Sequence, residues 1–281
     1  MKLLPKGGMV NEAWAIGECH ILRIVAPDRE PECDTEAQRE AAIVPLLIEA
    51  RMTTPRLVAF DASTEISPRP YTIYERAKGE LLGFAKLPYH LFEETYRQVG
   101  RELYALHQLD IGENLVPLLR VGRETNVPKW ISRTLEAGSI SDKDAVEIAE
   151  AANRWIELGG AVPNRRLVHN DIHPWNLMVE PDAGELTAIL DWGDATFGDP
   201  AADFAAMPLQ CVPSMLEGYV EAGGALSSAF IARALVEGLN TALWEIRSTD
   251  IMTPERPWWR MPPGGWPEMK SILDEMFPEL S

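Results

Sequence analysis

Apolar residues recur along this chain with two different periods. In the first 80 residues they come in short apolar or β-branched runs, Ala13–Ile16, Ile21–Val25, Leu57–Phe60 and Thr72–Tyr74, whose lengths predict strands. One helical segment interrupts them, from Thr35 to about Ala50, with Ala42, Val44, Leu46, Leu47 and Ile48 as its apolar positions. Pro45 is expected to kink or break it, because proline lacks the backbone donor. From about residue 90 the period becomes helical. Leu91, Tyr96, Val99, Leu103 and Leu106 share one face of a helix over Leu91–Leu109. A second helix over Ser141–Leu158 opens on Ser141 and Asp144, a capping pair. Residues 167–194 return to two short strands. Helices resume near 199, with Asp199 as cap and Pro200 in the first turn. Thr253–Pro267, rich in Pro, Gly and Trp, reads as an ordered loop. The pattern predicts an α+β chain: a small strand-rich lobe, a connector near 75–80, and a larger helical lobe.

The strands within 167–194 flank a PDAGE turn, so Asn176–Glu180 and Leu186–Asp191 are expected to form a hairpin. Folding it between Ala183 and Gly184 sets residue 176 opposite residue 191. Opposed Cα atoms in an antiparallel pair lie about 4.5–5.5 Å apart. Asn176 and Asp191 would then offer an amide oxygen and a carboxylate side by side, hard ligands suited to Mg²⁺. Asp171, on the loop stiffened by Pro174, enters at the same end and could accept a proton from a hydroxyl. His169 is placed to orient that loop through a hydrogen bond.

Composition narrows the partners. The 281 residues carry 43 acidic and 26 basic side chains, a net charge of −17. Nucleic acid is an unsuitable partner, because phosphate backbones need clustered Lys and Arg. The acidic balance favours cations, and equally favours solubility. Cys19, Cys33 and Cys211 stand far apart, with neither metal spacing nor a disulfide pattern, which suits a reducing cytoplasm. The opening MKLLPKGGMV has no signal-peptide core, and no run approaches the roughly 18 apolar residues that span a membrane. A cytoplasmic protein without a membrane partner, monomeric or homodimeric, is expected.

HNDIHPWN resembles the H-x-D-x-x-x-x-N catalytic loop of the aminoglycoside phosphotransferase and choline kinase-like family, and LDWGD, followed by GDPAADFA, resembles its metal-binding segment. The resemblance implies a two-lobed protein kinase-like fold. Residues 1–78 would be the antiparallel-sheet, nucleotide-binding lobe, and 79–281 the mainly helical lobe for catalysis and substrate. It implies ATP and Mg²⁺ as cofactors, Asp171 as base, and Asn176 and Asp191 as metal holders. Asp194 would support a second metal or the substrate, while Asp199 and Asp203 would stabilise the loop and cap the helix. KGGMVNEAW resembles the family's phosphate loop, which implies that Gly7 and Gly8 approach the phosphates. Only six residues precede Gly7, so the nucleotide roof is expected to be abbreviated. Arg23 stands where the family carries its phosphate-contacting basic residue, and Glu40, with Glu36 as fallback, matches the helix glutamate that pairs with it. The backbone at Glu75 and Ala77 would hold the adenine.

The acceptor is read from the helical lobe. Trp244, Trp258, Trp259 and Trp266 with Glu245, Asp250 and Glu255 suit a cationic ligand, while each tryptophan alone suits core packing. An aminoglycoside or other aminated antibiotic is the first expectation, which would make the protein a resistance enzyme. A metabolite such as choline, homoserine or a sugar is the second, and a nucleotide-binding pseudokinase the third. A zinc hydrolase using His169, Asp171 and His173 leaves Asn176 unexplained, and zinc prefers nitrogen and sulfur ligands.

Overall fold

The computed structural model describes residues 1–4, 11–26, 28–30, 33–120, 125–205, 208–247 and 265–280. All the predicted strands of the first 80 residues are present. β1 (Lys2–Leu3), β2 (Asn11–Ile16), β3 (His20–Val25), β4 (Leu57–Asp61) and β5 (Tyr71–Glu75) form one antiparallel sheet in the order β1-β2-β3-β5-β4. The first strand is only two residues long. The helix predicted from Thr35 is α1 (Asp34–Glu49), and it buries Ile43, Val44 and Leu47 completely. It continues through Pro45, so the proline does not break it. Pro45 lies on the exposed side, so the missing hydrogen bond disturbs no packed surface.

A second, three-stranded sheet joins β6 (Glu80–Leu81), β8 (Leu177–Val179) and β9 (Leu186–Ile189) in the order β6-β8-β9. The predicted hairpin is β8–β9, but its register differs by one residue. Leu177 pairs with Ile189 and Met178 with Ala188, and the pairing shifts again between Met178 and Val179. Asn176 therefore meets Leu190, whose N–H donates to the Asn176 carbonyl at 2.8 Å. The cause is the turn. Gly184 has φ +65° and its N–H returns to the Glu180 carbonyl, while the Glu180 N–H reaches Glu185, so the turn is not symmetric about its centre. β7 (Arg166–Val168) and β10 (Thr196–Gly198) pair separately and bracket the hairpin.

The remaining elements are helices: α2 (Tyr89–His107), α3 (Gly112–Leu115), α4 (Val127–Glu136), α5 (Asp142–Gly159), α6 (Val212–Glu221), α7 (Ser228–Arg247) and α8 (Gly265–Met276). α2 buries the predicted stripe, with Tyr96, Val99, Leu103 and Leu106 at zero exposure. α5 starts at the predicted capping box, with Ser141 and Asp144 bonded reciprocally. Two expectations fail locally. Asp199–Pro200 opens only a 3-10 turn, Pro200–Phe204, before α6. The Pro-rich loop reading fails at its end, where Gly265–Pro267 belong to α8; residues 253–264 lie outside those described. Pro267 sits in the first turn of that helix, where its missing donor is harmless. No helix among the described residues is long and apolar enough to cross a membrane.

α2 and α6 pack with their backbones nearly touching. A Cβ at Gly218 would stand 1.9 Å from the Arg97 carbonyl oxygen, and one at Gly100 would stand 2.0 Å from that of Met215. Gly218→Ala is therefore expected to force the helices apart and cost about 1–3 kcal/mol. Gly238→Ala in α7, whose nearest neighbour would be 3.9 Å away, should be neutral or stabilising by up to about 1 kcal/mol. Urea denaturation midpoints of the two variants test the contrast.

Candidate active site

β7 carries the chain out of the core, with Leu167 and Val168 buried, and delivers it to the loop 169–176. His169 is fully buried beneath that loop. Its Nε2 lies 2.8 Å from the Leu190 carbonyl oxygen, and its Nδ1 accepts the Asp171 N–H at 3.2 Å. A ring that donates through one nitrogen and accepts through the other is a neutral imidazole with its proton on Nε2. The ring also packs on Trp192, centroid to centroid 4.6 Å. His169 thus ties the loop to the end of β9, as the sequence suggested.

Asp203 anchors the same loop from below. Its Oδ2 accepts the His169 N–H at 3.1 Å and its Oδ1 the Asn170 N–H at 2.6 Å. The carboxylate also meets His107 Nε2 at 3.0 Å, and His107 Nδ1 meets the Tyr219 hydroxyl at 3.0 Å. Asp203 and His107 are each 1% exposed. His107 has no recognisable ligand spacing, so sequence reasoning passed over it. Its one signal was its place on the buried stripe of α2, beside Leu103 and Leu106. Asp199 also behaves as a cap, accepting the Ala201 N–H and pairing with Arg233 at 2.6 Å.

Held in this way, Asn170 takes φ +65°, a left-handed conformation that costs a non-glycine residue about 1–3 kcal/mol and that Asn tolerates better than most. The turn brings Asp171 and Asn176 together. Asn176 Nδ2 donates to the Asp171 carbonyl at 2.9 Å and to its Oδ2 at 3.0 Å. With its nitrogen directed at Asp171, the amide presents its oxygen on the other side. His173 Nε2 lies 3.3 Å from the same Asp171 oxygen, and its Nδ1 accepts the Trp175 N–H at 3.2 Å, so Nε2 is the donor toward Asp171.

Asp191 follows Leu190, the residue bonded to both His169 and Asn176, so it emerges at this same ribbon end. It too is left-handed, φ +65°. Its Oδ1 pairs with Arg23 Nη2 at 2.8 Å. Arg23 Nη1 pairs with Glu40, and the Tyr74 hydroxyl donates to the second Glu40 oxygen at 2.7 Å. The partner of Arg23 on α1 is therefore Glu40; Glu36 instead accepts from Asn11 at 3.4 Å. Burial alone disfavours the Arg23 charge, but the Asp191 and Glu40 carboxylates more than reverse this and raise its pKa well above the usual value. Burial pushes the Glu40 carboxyl up, and Arg23 pulls it part of the way back. Burial likewise raises the Glu36 carboxyl, and Asp191 adds to it.

Other expected residues have different partners. Glu75 and Ala77 lie where the chain leaves β5 for β6; the Glu75 N–H is bonded to the Arg56 carbonyl at 2.9 Å. Asp194 is ion-paired with Arg120, a partner the sequence did not suggest. Gly7, Gly8, Asp250, Glu255, Trp258 and Trp259 lie outside the described residues, as does the side chain of Glu245. Trp266 is 2% exposed and donates to Glu147 at 3.3 Å, so it packs α8 onto α5; Trp244 is 42% exposed. The Asn176 amide oxygen and the Asp191 carboxylate fit a magnesium ion, which takes one or two protein oxygens and completes its shell with phosphate and water.

Residues 3–240 match the profile of a family described as "Phosphotransferase enzyme family". The chain belongs to that family. Its fold is the protein kinase-like fold of the aminoglycoside phosphotransferases. The GDP and kanamycin complex of APH(2")-IIIa superposes with a TM-score of 0.68 at 16% identity, covering 99% of this chain and 91% of that one. The streptomycin-ATP-APH(2")-IIa ternary complex superposes with a TM-score of 0.57 at 18% identity, covering 99% and 90%. Two curated proteins are similar in part. "Acyl-CoA dehydrogenase family member 10" of Mus musculus is 25% identical over 173 residues, covering 60% of this chain and 16% of that protein. "Uncharacterized protein YcbJ" of Bacillus subtilis (strain 168) is 24% identical over 142 residues, covering 47% and 44%. The chain thus spans less than half the length of either.

Arg23→Met would strand the buried Glu40 carboxylate, with an expected cost of about 3–5 kcal/mol. Adding Glu40→Gln should restore most of it. A carboxyl whose folded-state pKa is raised contributes stability below its unfolded pKa and loses it as pH rises through the folded value. The deficit of Arg23→Met against the double variant should therefore grow from mildly acidic to neutral pH, as thermal midpoints would show.

Proposed function

We propose that the chain is an ATP-dependent O-phosphotransferase that moves the γ-phosphoryl group to a hydroxyl of a small aminated molecule, of the aminoglycoside class. The observation that carries this reading is the gathering of Asp171, Asn176 and Asp191 at one ribbon end, with the Arg23–Glu40 pair reaching it from the sheet. Asp171 accepts the proton of the attacking hydroxyl. Its carboxylate is held for that task by Asn176 Nδ2 and His173 Nε2. As the new O–P bond forms, the bond from the γ-phosphorus to the bridging oxygen breaks and ADP leaves. Magnesium, when bound, neutralises the charge on the phosphate oxygens. Asn176 and Asp191 are the residues to hold it. Arg23, with Gly7 and Gly8, would serve the phosphates, and the backbone of Glu75 and Ala77 the base. His169 positions the loop, and Asp194 supports the metal side through its link to Arg120.

The cationic acceptor is supported by the net charge of −17, which concentrates amines around the protein. Resistance to such an antibiotic would be the biological consequence. A coupled ADP-release screen against aminoglycosides, macrolides, choline, homoserine and sugars tests the assignment. Release stimulated by an aminoglycoside supports it; release with only a common metabolite replaces the acceptor; nucleotide binding without release under any compound removes the enzyme reading. Asp171→Asn is expected to hold MgATP within about twofold of wild type and to lose at least about a hundredfold in turnover. Retained turnover would remove Asp171 from the base role.

A further inference from the structure

Arg23 is shared between two carboxylates of unequal character. The Glu40 side chain is 4% exposed and the Asp191 side chain 34%. Leaving Glu40 would strand an anion in the interior, whereas leaving Asp191 exposes one that water already reaches. The difference is reinforced by Tyr74. It lies on β5 opposite Ile21 of β3, is 7% exposed, and donates its hydroxyl to the Glu40 oxygen that Arg23 leaves open. Burial raises the Tyr74 pKa well above the usual value, so the hydroxyl keeps its proton and remains a donor. Glu40 is therefore gripped at both oxygens, by a cation from one side and a hydroxyl from the other. On the kinase reading, a metal–triphosphate arriving in the cleft would draw on Asp191 and offer Arg23 new anions, so it would compete with the two carboxylates that now hold the guanidinium.

We propose that Tyr74 is a positioning residue for nucleotide binding: by pinning Glu40 it makes Asp191 the partner that Arg23 releases, so that Nη1 stays on α1 while Nη2 turns to the phosphates. This inference rests on the kinase reading of the same site. Tyr74 touches neither the phosphates nor the acceptor; it acts through Glu40 and Arg23.

The test is Tyr74→Phe, which keeps the ring and removes only the hydroxyl. Calorimetric titration with MgATP and, separately, with adenosine divides phosphate contacts from base contacts. MgATP affinity is expected to fall about tenfold, the effect of one hydrogen bond to a charged group. Adenosine affinity should be unchanged. In a Glu40→Gln background the same substitution should add less than about twofold, because the pinned group is already gone. Equal losses for MgATP and adenosine, an unchanged MgATP affinity, or full additivity with Glu40→Gln would each overturn the proposal and mark Tyr74 as core packing. If the Phe variant is too unstable to titrate, Tyr74→Gln restores a donor and should stay within about threefold of wild type; a tenfold loss there would count against the idea. Wild-type protein that binds neither MgATP nor adenosine would instead remove the kinase reading, and the inference with it.

Discussion

A buried carboxylate is the constraint on which the geometry of the candidate site depends. Asp203 accepts two consecutive loop amides and meets His107, which is steadied by Tyr219. Each of these bonds replaces one lost to water, and charge-assisted bonds are the strong ones. Together they hold Asn170 in a left-handed turn it would not adopt alone. That turn aims Asp171 back at Asn176. Three helical elements contribute to this anchor: α2 through His107, α6 through Tyr219, and the 3-10 turn at Pro200–Phe204 through Asp203. The loop is therefore tied directly to the core beneath it.

The second link runs between the lobes. α1 packs on the five-stranded sheet, yet it also reaches the 192–194 turn. Arg39 donates to the Gly193 carbonyl, and a Cβ at Gly193 would stand 3.0 Å from Glu36. Arg23 on β3 and Glu40 on α1 meet Asp191 across the same junction. A residue from the small lobe, one from its helix and one from the large lobe share a single charge cluster, so a change in lobe position must be felt as a change in ion pairing. Such coupling would serve the phosphoryl transfer proposed for this site, because positioning and charge supply most of the catalysis in that reaction.

Much of this was legible. The β-branched runs and the α2 stripe predicted their elements because burial on one face imposes a period that local sequence must obey. H-x-D-x-x-x-x-N anticipated that Asp171 and Asn176 meet, because those loop residues are close in sequence. The failures share a cause as well. The β8–β9 register slipped by one because turn asymmetry at Gly184 is a backbone property that counting cannot see. Pro45 did not break α1 because its exposed side tolerates the loss. His107, Tyr74 and Arg120 were missed because their partners lie 96, 34 and 74 residues away.

By itself, the sequence determined the periods, the caps at Ser141 and Asp199, and the set of oxygen-bearing side chains near residues 171–191. Those follow from short-range sterics and hydrogen bonding, which any local stretch carries with it. Only the tertiary structure decided that Glu40 rather than Glu36 takes Arg23, that Tyr74 backs Glu40, and that Asp194 turns to Arg120. The reason is that a buried charge selects its partner by distance and by what else is desolvated beside it, and neither quantity exists until distant segments are packed together.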